Sequence, residues 1–194
     1  MDWYCVTDAN LWINLEQYIF KKEVLLTPHS LVQILAHFAN QNEGSRDLYD
    51  FVEFNYNSQM FKDVTNHDLI SILYSFYSVH AGTKTFMMMM ASDLVDKLDN
   101  RVTTFDLLRV LQSYSEIAED YPKLFMKLET MFLSRFDQMT VDEITTCASG
   151  FAVSGYGSPY FSSVMEQGVL ARIGDFSTQS LKEVARGFVF SLRG

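Results

Sequence analysis

Five Ser or Thr residues stand at nearly equal intervals along this 194-residue chain, and each one opens the same pattern. They lie 38, 38, 37 and 37 residues apart and are Thr27, Thr65, Thr103, Thr140 and Ser177. Four residues after each opener comes an aliphatic residue, and these five are Leu31, Leu69, Leu107, Ile144 and Leu181. A period of this length is typical of proteins that stack one supersecondary unit on the next.

The pattern within each period predicts a pair of helices. The opening hydroxyl is a good helix N-cap, and after Thr65 the apolar residues from Leu69 to Phe76 recur at steps of three and four, which marks one face of a helix. We name this first helix of a repeat helix A. A turn segment containing Gly or Pro follows, and then a second apolar series begins, as at Phe86 and Met90. We name the second helix of a repeat helix B.

The repeat count predicts an all-α fold, an α-solenoid of antiparallel helix hairpins forming a single domain over residues 1–194. It comprises about three full repeats with a half-repeat at each end, because residues 11–25 read as a helix B without its helix A and residues 177–193 as a helix A without its helix B. The end helices carry Trp12, Leu15, Phe188 and Phe190, which we expect to bind protein partners. The alternative is that these apolar residues pack inward.

Composition narrows the classes of protein. Two cysteines, Cys5 and Cys147, do not make a disulfide framework, which favours a reducing intracellular compartment. No apolar run reaches the ~20 residues of a membrane-spanning helix. The first residues show neither a secretory nor a mitochondrial presequence pattern, so the compartment is not readable from a targeting signal.

The sequence offers no catalytic constellation. His29 and His67 occupy the same position in successive repeats, while His37 and His80 lie near turns without neighbouring ligand types. The glycines around Gly155 follow no strand and make no phosphate-binding loop. We therefore expect a protein that is not an enzyme and that holds no metal or cofactor.

Basic residues recur near the end of helix B. Lys21, Lys97, Arg135 and Arg172 hold this place, and we call them the basic ladder. In one interpretation they complement the negative end of the helix dipole and pair with cap acids such as Asp106. In the other they form a track for a phosphate backbone. The net charge of −9 and the calculated pI of about 4.8 disfavour the second interpretation.

The caps, the period and the core segments LISILYSF and LLRVLQSY resemble the heptatricopeptide and octotricopeptide helical arrays. These include the Fas-activated kinase-like proteins with a RAP domain, found largely in mitochondria and plastids. The resemblance extends from Leu11 to Arg193 and implies binding or processing of organellar RNA. The chain departs from it in being acidic and in lacking the Pro-Pro-Pro-Glu-Trp signature of octotricopeptide repeats.

Together these features predict a repurposed array. We expect a non-catalytic scaffold or accessory subunit that mediates protein–protein contacts in a large mitochondrial assembly. A respiratory complex, the ATP synthase and the mitochondrial ribosome are the candidate assemblies. An organellar RNA-binding repeat protein is the alternative.

Overall fold

The computed structural model describes residues 9–22, 26–56, 61 and 63–191, and within them the chain forms α-helices and short 3₁₀ turns without any β-strand. The ten α-helices in these ranges are α1 (Ala9–Lys22), α2 (Pro28–Asn40), α3 (Arg46–Asn55), α4 (Asn66–Ser78), α5 (Lys84–Lys97), α6 (Thr104–Tyr114), α7 (Pro122–Leu133), α8 (Val141–Ser154), α9 (Pro159–Ala171) and α10 (Thr178–Ser191). Even-numbered helices are the predicted helices A, and odd-numbered helices are the predicted helices B. The all-α class is confirmed.

The chain divides into two compact units, which span residues 1–87 and 88–194, and the boundary between them falls inside α5. The first unit contains α1 to α4 and the start of α5, and the second contains the rest of α5 and α6 to α10. The organisation as a single domain stays a prediction.

Each helix A begins at the residue that the repeat predicts. The hydroxyls of Thr27, Thr65, Thr103 and Thr140 accept hydrogen bonds from the backbone N–H three residues later, over 3.1, 3.1, 3.1 and 3.2 Å. The Ser177 hydroxyl accepts the same bond from Ser180, over 3.0 Å. Each bond satisfies one of the N–H groups that a helix leaves free at its start.

The predicted core column is buried in four repeats and half-buried in the fifth. Leu31 is 1% exposed, and Leu69, Leu107 and Ile144 are each 0% exposed. Leu181 is only half-buried, so the expectation of burial is wrong at that position. The reason is that no helix B follows α10 within the described residues, which leaves one side of α10 uncovered.

Small residues let successive helices A approach closely. Ten residues after each of the last four caps stand, in order, Ser75, Ser113, Gly150 and Gly187. A Cβ added at Gly150 would lie 2.6 Å from Leu111 side-chain carbons, and one at Gly187 would lie 3.2 Å from the carbonyl oxygen of Ala148. A larger side chain here would force α6, α8 and α10 apart.

Candidate functional site

Carboxylates on helices B cap the start of the next helix B. The Glu16 carboxylate accepts the Ser45 backbone N–H over 3.0 Å, Glu53 accepts that of Thr83 over 3.1 Å, and Glu129 accepts that of Ser158 over 3.0 Å. The hydroxyl of each capping residue donates to the same carboxylate. We call these bonds the cross-repeat caps. They join neighbouring repeats, and they give all three carboxylates a structural role.

The cross-repeat caps were not predicted from the sequence, although a periodic signal was present. Glu16, Glu53, Glu129 and Glu166 stand in one column of the repeat, 37, 76 and 37 residues apart. In the repeat between Glu53 and Glu129, the same position holds Ala91. Tyr121, the residue just before α7, makes no capping bond through its side chain. One repeat in the second unit therefore lacks the glutamate that the others use.

A groove lies beside Ala91, between α5 and the start of α7. It has a volume of about 390 Å³. Its α5 wall is formed by Met88, Ala91, Ser92, Val95 and Asp96, and its α7 wall by residues 120–124. The walls are largely apolar where the two helices meet.

Uncharged side chains on three helices B, some exposed and some half-buried, form a set that we call the B face. It consists of Met88, Ser92 and Val95 of α5, Met126, Thr130 and Leu133 of α7, and Ser163, Gln167 and Leu170 of α9. Exposed charged side chains stand one helical turn away, among them Lys123 and Glu166. Met88 is 55% exposed, Met126 68% and Leu170 59%, so the surface presents large apolar side chains to solvent.

Helices A present a surface of a different kind. Between α8 and α10 lies a groove of about 380 Å³ whose lining includes Ser149, Val153, Glu183 and Arg186, a mixture of polar, apolar and both charges. On α6 the ring of Phe105 is 59% exposed, and the Arg109 guanidinium carbon lies 4.5 Å from its centre. This surface shows no uniform charge along the second unit.

The two arginines of the basic ladder bind backbone carbonyls of their own hairpins. Arg135 donates to the Val102 carbonyl over 2.6 Å, and Arg172 donates to the Met139 carbonyl over 2.8 Å. Each carbonyl belongs to the residue just before the N-cap of helix A, so the bond joins the end of helix B to the start of helix A. In the structure both guanidinium groups bond to a carbonyl. The pairing with cap acids stays a prediction. Lys21 is exposed and Lys97 is half-buried.

The predicted partner-binding residues of the end helices have different environments. Trp12 is half-buried, and its ring packs edge-on against Phe38 at 4.9 Å, so it serves the contact between α1 and α2. Leu15 is 40% exposed. Phe188 is half-buried and lines a small cavity with Phe151 and Phe161. The side chain of Phe190 lies outside the described residues.

The residues with catalytic or metal-binding potential are dispersed over the described part of the chain. Within that part, no three His, Cys, Asp or Glu side chains come together as a metal site would require. His29 and Asp68 form a pair: the His29 Nδ1 and Asp68 Oδ1 atoms lie 2.9 Å apart and link the starts of α2 and α4. Cys147 is completely buried, and burial raises the pKa of its thiol well above the ordinary value.

Among the described helices, none has the length and apolar character that crossing a membrane requires. The fold defines the class as an all-α protein of repeated helix hairpins. Neither a protein-family model nor a curated protein matches this chain.

Proposed function

We propose that this chain is a non-catalytic scaffold or accessory subunit and that its B face binds a protein partner. The observation that carries the proposal is the exposure of three large apolar side chains on successive helices B, those of Met88, Met126 and Leu170. Enrichment in methionine is a feature of protein–protein interfaces. Exposed apolar surface of this kind is otherwise unfavourable in water.

The groove beside Met88 supports the same proposal. A groove of about 390 Å³ can receive one or two apolar side chains of a partner, which a flat surface could not. Asp96 and Asp120 outnumber Lys123 at the groove, so a basic residue next to the partner's apolar residue would complement the net charge there. The chemistry favoured for the partner is therefore an apolar segment flanked by Lys or Arg.

Cross-linking of the tagged chain in cells, followed by mass spectrometry of the recovered proteins, tests the proposal. We expect Met88→Glu and Met126→Glu to abolish recovery of the principal partner, because each places a charge in the contact. Val153→Glu is the matched control, since Val153 is 62% exposed but belongs to the surface of helices A. Equal recovery with all three variants would reject the B face as the binding surface.

RNA binding remains the second candidate because of Phe105 and Arg109. An exposed aromatic ring beneath a guanidinium group is a surface on which an unpaired base can stack. If the chain binds RNA, affinity for mixed single-stranded RNA should fall steeply with salt, and Phe105→Ala should weaken it. Absence of salt-sensitive binding would leave the scaffold function as the only candidate.

The mitochondrion is the compartment that we propose, on the strength of the resemblance to organellar helical arrays. A respiratory complex, the ATP synthase and the mitochondrial ribosome remain the candidate assemblies. Co-migration of the tagged chain with one of these complexes on native gels of purified mitochondria would identify it. Recovery in another cell fraction would contradict the proposed mitochondrial location. The cross-linking test of the B face would still apply.

A further inference from the structure

The groove between α5 and α7 lies where the cross-repeat caps of other repeats have a glutamate. In those caps the carboxylate accepts the backbone N–H of the residue just before the next helix B, as Glu129 does from Ser158 over 3.0 Å. At the same position of its own repeat, Ala91 carries only a methyl group, and it lines the groove. The space that a glutamate side chain would take is thus left to the groove.

The backbone N–H that the missing glutamate would bind already has a partner. Tyr121, the residue just before α7, donates its backbone N–H to the Ala118 carbonyl over 2.8 Å. Ala118 belongs to the 3₁₀ turn Ser115–Asp120 that precedes α7. The Tyr121 ring packs edge-on against Tyr114 at 4.8 Å and does not cap the helix. An acidic side chain that entered from a partner would therefore not gain the capping bond that the glutamates make.

The lining of the groove favours an apolar occupant with a basic neighbour. Met88 and Val95 present apolar surface to the groove, while Asp96 and Asp120 outnumber Lys123. A carboxylate placed here would lose its hydration beside two other acids. An apolar side chain instead gains by leaving water, and a Lys or Arg next to it would complement the two aspartates.

We propose that Ala91 makes this groove a specific receptor for one apolar side chain of a protein partner, which takes the place of the missing glutamate. A Lys or Arg beside that side chain faces Asp96 and Asp120. The inference deepens, and rests on, the binding of a protein partner by the B face, and it adds the residue that sets the specificity. Glutamate holds this position on the other described helices B, so Ala91 gives the receptor to one repeat. Those glutamates are Glu16, Glu53, Glu129 and Glu166.

Selection from a phage-displayed library of random peptides tests the inference. The library is first depleted on an Ala91→Gln variant, whose side chain fills the space without adding charge, and is then selected on the wild-type chain. We expect enriched peptides to carry an apolar residue next to Lys or Arg. Fluorescence anisotropy of one such synthetic peptide should show binding at least about tenfold weaker to Ala91→Gln than to the wild type.

A second variant tests the charge of the groove without altering its buried wall. Ser92 is exposed and lines the groove, so Ser92→Arg should weaken binding of the same peptide by about tenfold through repulsion of its basic residue. This variant also keeps the inference testable if Ala91→Gln perturbs α5, which circular dichroism would reveal. Gln167→Arg is the matched control, because Gln167 is exposed at the same repeat position on α9, outside the groove lining.

Several outcomes would overturn the inference. These are a selection that enriches no peptide, a selection that enriches acidic peptides, and a peptide that binds the two groove variants as tightly as the wild type. An equal loss of binding in Gln167→Arg would also overturn it, because the added charge alone would then explain the effect of Ser92→Arg.

Recovery of the partner from cells separates this inference from the proposed function. If both hold, Ala91→Gln and Met126→Glu should each abolish cross-linking to the principal partner. Loss with Met126→Glu but not with Ala91→Gln would reject the receptor and leave the B face as the binding surface. Unchanged recovery with both variants would reject the B face, while the peptide measurements would still decide whether the groove selects an apolar side chain with a basic neighbour.

Discussion

At the scale of single residues, Leu107 shows how much of the stability depends on the core column. Its side chain is 0% exposed on α6. Leu107→Ala should lower the free energy of unfolding by about 2–5 kcal/mol, through lost burial and the cavity that remains. Urea denaturation measures the loss. Met126→Ala is the control, because Met126 is 68% exposed and its removal should change stability by no more than about 0.5 kcal/mol.

Asp68 makes the stability depend on acid pH. Burial by itself would raise the pKa of this carboxyl, but hydrogen bonds from His29 and Thr65 outweigh it and hold the pKa below its usual range. The stabilisation is therefore fully present above the unfolded pKa of about 3.9, and it is lost as the pH falls through the lower folded pKa.

Asp68→Asn should accordingly destabilise the chain at pH 7 and make its stability less sensitive to acid below about pH 4. Denaturation series at pH 7 and at pH 3 would measure both effects. Asp63→Asn, at an exposed position before the same helix, serves as the control. A variant that loses stability equally at both pH values would contradict the role of the Asp68 charge.

At the scale of helices, the cross-repeat caps predict coupling between residues far apart in sequence. Glu129→Ala and Ser158→Ala should each lower the free energy of unfolding by about 0.5–2 kcal/mol, since each removes a helix cap. The double variant should lose less than the sum of the two, because both changes remove the hydrogen bond from the Ser158 hydroxyl to the Glu129 carboxylate. Additive losses in this double-mutant cycle would show that this hydroxyl–carboxylate bond contributes nothing to stability.

Gly168 on α9 sets the packing of the 3₁₀ turn that contains Phe136. A Cβ at Gly168 would clash with a ring carbon of Phe136. The Arg172 guanidinium carbon lies 5.4 Å from the centre of the same ring. Gly168→Ala should therefore destabilise the chain by about 1–3 kcal/mol despite the better helix propensity of alanine. Gly174→Ala is a matched control for thermal unfolding, because nothing lies within 4 Å of its Cβ position.

At the scale of the whole molecule, the repeat predicts that stability is shared between neighbours. A helix packed on both sides is held more firmly than a helix packed on one side. Hydrogen exchange should be faster in the amides of α10 than in those of α8, which packs against both α6 and α10. Uniform protection of the two helices would instead indicate a single cooperative unit.

The sequence by itself determined the helices and most of their core. A hydroxyl at Thr103 and aliphatic residues four and eight positions later act within one or two helical turns, so their consequences follow from local chemistry. The same locality accounts for the helix hairpins, because short segments with Gly or Pro separate each pair. Leu181 was the exception, since its burial requires a helix that the described chain does not supply.

Only the tertiary structure decided which distant groups meet. Glu129 bonds to Ser158, 29 residues later, and Arg172 bonds to the carbonyl of Met139, 33 residues earlier. Which groups meet depends on the rotation and spacing of the packed helices. Different helix arrangements can arise from similar sequence patterns, so the pattern alone does not identify these partners. The B face is likewise a product of packing: its uncharged residues lie far apart along the chain, and it becomes one surface because α5, α7 and α9 turn the same side outward.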